Sequence, residues 1–355
     1  MRITFSEPVT GFGRGIDVYA PSGKRVSGTA AAQGDSLVAG LGEFQPLEEG
    51  TYRVEWRVVA RDTHPSRGSY TFSVGHPSPV TADGLQGNEL GAVAPLGLFL
   101  QALARWLHFL GFALAFGVLA FRVLLLPAPD APSRLRRLWY AGLVLLVVAE
   151  PLALTGQAAS LGSLDAQSLA DVLGSAFGRV LALRLGVALL LWGALGALPQ
   201  ARGRGAWTLL GLGVALALVD GFGGHTIKGV PDLVAYLLTA VHEGAMSVWV
   251  GGLAALVSLP ERGPLLRPFG RLAVASVAVL IASGALLALF HLRSPADLAF
   301  TAYGFTLGVK LLAVAAALGG AWLGLRARRS GWPEAAALAG VLALAGLLAS
   351  LPPPR

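Results

Sequence analysis

Residues 269–292 read FGRLAVASVAVLIASGALLALFHL, twenty-four positions with a single formal charge at Arg271. The hydrocarbon core of a bilayer is about 30 Å thick, and about 20 apolar helical residues cross it. The segment therefore reads as a membrane-spanning helix. Beyond Pro95 seven further runs read the same way, at roughly 96–125, 138–158, 177–198, 206–222, 231–259, 302–325 and 332–351. Composition agrees: of 355 residues 54% are hydrophobic and 13% charged, with mean hydropathy +0.65. A soluble globular chain carries about 25% charged residues. The fold class expected for this part is an all-α polytopic membrane bundle of about eight transmembrane helices.

Upstream the pattern changes. Ile16-Asp17-Val18-Tyr19, Thr51-Tyr52-Arg53-Val54-Glu55-Trp56 and Ser69-Tyr70-Thr71-Phe72-Ser73-Val74 alternate with period two, as half-buried strands do. Pro21-Ser22-Gly23, Glu48-Glu49-Gly50 and Gly68 read as turn signals between them. An immunoglobulin-like all-β sandwich is expected over 1–76, a Pro/Gly/Ser-rich linker over 77–95 and the membrane domain over 96–352. Between the second and third spans, Leu164, Leu169, Val172, Leu173 and Phe177 interleave with Asp165, Gln167 and Asp171, predicting a short amphipathic helix at the membrane surface.

The net charge of +7 is unevenly placed. Residues 1–95 hold 8 basic and 10 acidic side chains, and residues 96–355 hold 19 and 10. The excess belongs to the hydrophobic part, so a nucleic-acid partner is not indicated. Eleven arginines (134, 136, 137, 202, 204, 262, 267, 271, 326, 328 and 329) fall in loops one, three, five and seven. The other loops and the C-terminus hold four basic residues: Arg179, Lys228, Arg293 and Arg355. By the positive-inside rule both ends then lie outside the cytoplasm. No signal peptide is evident in the first 30 residues. Either the first span acts as a reverse anchor, or the chain continues upstream with a signal peptide and a first strand. With no cysteine there is no disulfide framework, thiolate metal site or cysteine nucleophile.

In the β part, Asp62 and His64 are two residues apart and share a face if the chain is extended. A carboxylate and an imidazole suit Cu(II), which takes tetragonal N/O coordination. By spacing alone a turn-capping aspartate beside a solvent-exposed histidine is the reading to prefer.

Phe5-Ser6-Glu7-Pro8-Val9, Gly50-Thr51-Tyr52-Arg53-Val54-Glu55-Trp56-Arg57-Val58-Val59, Asp62-x-His64-Pro65 and Phe72-Ser73-Val74 resemble the periplasmic copper-binding protein CopC. The helical region that follows resembles its membrane partner CopD, so the whole is similar to a CopC–CopD fusion. The resemblance implies copper binding outside the membrane and copper transport across the bacterial cytoplasmic membrane, inward, in copper homeostasis and resistance. It also implies that Asp62 and His64 are equatorial Cu(II) ligands, with a mature N-terminal histidine supplying further nitrogens. No such histidine stands in this sequence, where Met1 aligns inside the domain. Copper ions, the surrounding lipid and a periplasmic copper chaperone are the partners it suggests.

Ionisable residues inside spans are costly and face the bundle interior. They are Arg105, His108, Glu150, Arg184, Asp220, His242, Glu243 and Lys310. His108 and His242 both fall roughly 16–18 Å from the outer face, so copper is expected to pass from His225 and His291 to His108, His242 and Met246. His242, Met246 and Trp249 lie along one helical stripe. Imidazole plus thioether suits Cu(I), although methionine also fills gaps in cores. His225 and His291 end spans on the outer side, as a first copper site or as headgroup neighbours. Arg105 is expected to pair with Glu150 or Glu243, and Arg184 and Lys310 to be structural or snorkelling groups. Gly251-Gly252 and Gly319-Gly320 read as close helix approaches.

Two other readings stay open. His108 and His242 could be axial ligands of haem b in an electron-transfer protein or cupric reductase. Alternatively, the membrane part only anchors or senses. No Walker A sequence, Gly-x-Ser-x-Gly elbow or phosphorylation loop is present, so a transporter is expected rather than a hydrolase or ATP-driven pump.

Overall fold

The computed structural model describes residues 1–5, 8–41, 46–60, 65–79, 94–126, 132–162, 164–197, 204–223, 230–292, 294–327 and 332–351. Its backbone divides into two compact units. One is Met1–Phe99 with Leu154–Arg179; the other is Leu100–Ala153 with Val180–Arg355.

The first unit holds strands β1 (Arg2–Thr4), β2 (Val9–Tyr19), β3 (Ala31–Gln33), β4 (Ser36–Val38), β5 (Gly50–Ala60) and β6 (Pro65–Val74). They form two antiparallel three-stranded sheets, ordered β1-β4-β3 and β2-β5-β6. The alternation read from the sequence sends Ile16, Val18, Tyr52, Val54, Trp56 and Val58 into one core with Leu37 of the other sheet. The β2–β5 register slips between Gly11 and Ile16, where Gly13 and Gly15 adopt φ of 59° and 75°. A side chain would be strained at those angles, so the glycines permit the bulge.

Gly68 is not a turn. It lies within β6 opposite Trp56, and a Cβ there would stand 2.6 Å from the indole. The missing side chain is what seats the tryptophan ring.

The expected amphipathic helix is present as α4, following α1 (Pro95–Phe112), α2 (Val118–Leu125) and α3 (Ser133–Ser160). It spans Ala166–Gly174, and Asp165 caps it by accepting from the Ser168 amide at 2.7 Å. It packs against β2, with Val172 fully buried.

In the second unit a π-helical turn at Ala113–Gly117 joins α1 to α2. Then come α5 (Ala176–Ala197), α6 (Arg204–Phe222), α7 (Asp232–Ser258), α8 (Leu266–His291), the short α9 (Asp297–Phe300), α10 (Ala302–Ala327) and α11 (Trp332–Ser350). Among the described residues seven helices are long and apolar enough to cross a membrane; α11 is a shorter apolar helix over Ala336–Ser350. All eight expected runs are helical, and the protein is a membrane protein.

Helix α7 is central, touching α2, α6, α8, α11 and the π turn. Lipid tails are as apolar as leucine, so helices associate in a membrane through close packing. The π turn supplies it: a Cβ on Gly117 would overlap the Ser247 carbonyl, and one on Gly251 the Ala113 carbonyl. Gly252 meets the Phe269 ring. Gly319 and Gly320 differ from expectation, since a Cβ on either would meet nothing within 4 Å among the described residues.

Candidate functional site

The helical unit contains a partly open cavity of about 460 Å³, lined by residues of α1, α3, α5, α6, α7, α8, α10 and α11. Its lining is mostly leucine, valine and alanine, into which the intramembrane ionisable residues project. Two separate polar constellations occupy the wall.

The first centres on His108. Its Nδ1 stands 3.0 Å from Glu150 Oε1 and its Nε2 3.0 Å from Asp220 Oδ2. The three residues, from α1, α3 and α6, are only 4%, 4% and 2% exposed. Arg184 of α5 donates through Nε to Asp220 Oδ1 at 2.6 Å, and Glu243 of α7 lines the same cavity. Asp220 lies two residues before the end of α6, where a helix dipole disfavours negative charge. Arg184 and His108 offset that cost. Pro151, next to Glu150, removes one backbone donor from α3.

The second constellation centres on His242. Its Nδ1 is 2.9 Å from Ser283 Oγ, and the Ser283 hydroxyl donates to the Val279 carbonyl at 2.6 Å. The serine proton is thus committed, so Nδ1–H of His242 must be the donor. Nε2 is left as the basic nitrogen, the tautomer a metal ligand needs. The ring is seated on Gly284, where a Cβ would come within 3.1 Å of it. Met246 and Trp249 lie on the same wall. His291, at the end of α8, donates from Nδ1 to its own Leu287 carbonyl at 2.7 Å and stacks on Tyr303 with centroids 5.9 Å apart.

Several expectations change. His108 and His242 line one cavity but bind different partners, so they are not a ligand pair in this arrangement. Both nitrogens of His108 are engaged by carboxylates, which leaves none for iron; a bis-imidazole haem does not fit these residues. For Arg184 the structural alternative fits and the snorkelling one does not: it holds the buried Asp220. Arg105 donates from Nη1 to the Ala349 carbonyl of α11, and Lys310 lines the cavity. Among the described residues no group of three or more His, Cys, Asp or Glu side chains is arranged to hold a metal ion. Asp62, His64 and His225 lie outside the described residues. Sequence reasoning missed Ser283 and gave Asp220 no partner. An aspartate inside an apolar run was the available signal; for Ser283 there was none, because serine is common in such helices.

Comparison with known proteins gives a consistent picture. Residues 1–75 match the CopC domain, and residues 96–229 match the copper resistance protein D-like, N-terminal domain. The copper transport protein CutJ of Bacillus subtilis (strain 168) is 29% identical, with 87% of this chain and 61% of that protein covered. Copper resistance protein C of Xanthomonas campestris pv. juglandis is 52% identical over 44 residues, covering 12% of this chain and 33% of that protein. Copper resistance protein C of Escherichia coli is 63% identical over 30 residues, covering 8% and 24%. The match therefore spans less than two thirds of each relative's length. No solved structure matches the chain.

Proposed function

We propose, from the premise that the chain is a CopC–CopD fusion, that it captures copper on the extracytoplasmic face and moves it inward across the bacterial cytoplasmic membrane. In this reading residues 1–76 are the external copper-binding domain, 77–95 the linker and 96–352 the membrane domain. Asp62 and His64 hold Cu(II) equatorially. Copper is cargo for the membrane domain, and the pair that receives it is His242 with Met246, assisted by His291.

The single observation that carries this is the His242–Ser283–Val279 hydrogen-bond chain in the cavity wall. It turns the basic imidazole nitrogen into an available donor one helical turn from a thioether. That donor set suits Cu(I). Passage as Cu(I) requires one electron per ion from a donor outside the chain.

Copper uptake into proteoliposomes tests the reading. His242→Ala should abolish uptake and Met246→Leu should reduce it. Wild-type rates in His242→Ala would remove the cavity histidine from the path.

A further inference from the structure

The Glu150–His108–Asp220 unit is not used by that reading. Two ring nitrogens each 3.0 Å from a carboxylate oxygen require two protons, one per contact. Either His108 is an imidazolium between two carboxylates, or it is neutral and one carboxyl is protonated. In both cases the three groups carry formal charge −1, which Arg184 on Asp220 balances. Removing one proton takes the unit to −2 and sets a nitrogen lone pair against an oxygen lone pair. In a low-dielectric interior that imbalance is costly unless a cation supplies the missing charge.

The cavity offers a cation that place. Glu150 lines it, and its Oε2 is buried with no hydrogen-bond partner among the described residues. Among the described residues, the other charged or titratable groups facing the unit are Arg184 from α5 and Glu243 from α7. Arg105, Lys310, His242, His291 and Tyr303 share the cavity wall.

We infer that this unit is a proton-exchange site: a monovalent metal cation entering the cavity displaces one proton from Glu150–His108–Asp220, so the membrane domain trades protons for its cargo. The proton passes from the unit through Glu150 to bulk water and is regained when the cation leaves. Linkage is reciprocal, so proton binding weakens cation binding by the same factor. The inference rests on the copper-passage reading above.

Its test uses the full-length chain and Ag(I), a redox-inert stand-in for Cu(I). Calorimetric titration in buffers of different ionisation enthalpy counts the protons released per bound ion. The wild type should release about one proton more per ion than His108→Gln. Glu150→Gln keeps an acceptor for His108 but removes the carboxylate charge that retains the second proton. It should lose the same proton, and it covers the case in which His108→Gln does not fold. Equal counts in all three proteins would overturn the inference. In proteoliposomes with a lumenal pH dye and clamped potential, metal entry should alkalinise the lumen. Uptake without any pH change would sink proton exchange and leave copper passage standing. Proton release on binding with no uptake would support the exchange site and sink passage.

Discussion

Ser283 Oγ accepts from His242 Nδ1 at 2.9 Å because its own hydrogen is committed to the Val279 carbonyl at 2.6 Å. A serine on α8 thus decides which nitrogen of a histidine on α7 is basic. Ser283→Ala removes that control while leaving the donor atoms in place. Partners of this kind are worth roughly 10- to 100-fold in metal affinity. Ag(I) affinity should fall by about that factor while the melting temperature changes little, and Ser283→Thr should retain most of it. Unchanged affinity in Ser283→Ala would contradict the tautomer argument.

Asp220 holds both His108 and Arg184 at 1% side-chain exposure. Asp220→Asn leaves the partly buried Arg184 guanidinium, its side chain 18% exposed, without its carboxylate, at a cost of up to about 3–5 kcal/mol. Thermal unfolding in detergent should shift down sharply, and Asp220→Asn with Arg184→Met should recover part of the loss. A single mutant that melts with the wild type would show that the pair is not buried as described.

The α7 contact with the π turn leaves no room for a side chain at Gly251, where a Cβ would overlap the Ala113 carbonyl. Gly251→Leu should destabilise the membrane domain by more than the roughly 1–3 kcal/mol of ordinary overpacking, because the obstructing atoms are backbone. Gly319→Leu, at a position with nothing within 4 Å among the described residues, is the control and should be neutral. Detergent melting curves of the two variants compare them directly; similar melts would refute the assigned packing.

Within the β part, Gly68→Leu would drive a side chain into the Trp56 indole, 2.6 Å from the Cβ position. Loss of about 1–3 kcal/mol is expected. The readout is faster proteolysis within residues 1–75, with the helical region unaffected. Equal cleavage rates would mean that Trp56 has another place to go.

How much of this was legible beforehand depended on the kind of order involved. Period-two alternation around Val18, Val54 and Trp56 announces strands because neighbours on a strand face opposite ways. It also led to Gly68 being read as a break, since a glycine that admits a ring from the next strand looks the same in one dimension as a glycine that turns the chain. His242, Met246 and Trp249 form a stripe that spacing reveals, and the structure puts all three on one wall. His108 and His242 share a depth, which suggested a pair; equal depth constrains height in the bilayer and says nothing about direction around the helix axis.

By itself the sequence determined that the chain enters a membrane and where, because bilayer thickness converts directly into a number of apolar residues. It also determined that a β domain precedes the spans. Only the tertiary structure decided that His108 is held between Glu150 and Asp220 while His242 is held by Ser283. These spans are apolar nearly all round, so hydropathy leaves each helix's rotation unspecified. That rotation is set by close backbone packing, such as Gly117 and Gly251 at the π turn. Small residues brought face to face choose the neighbours of every buried charge.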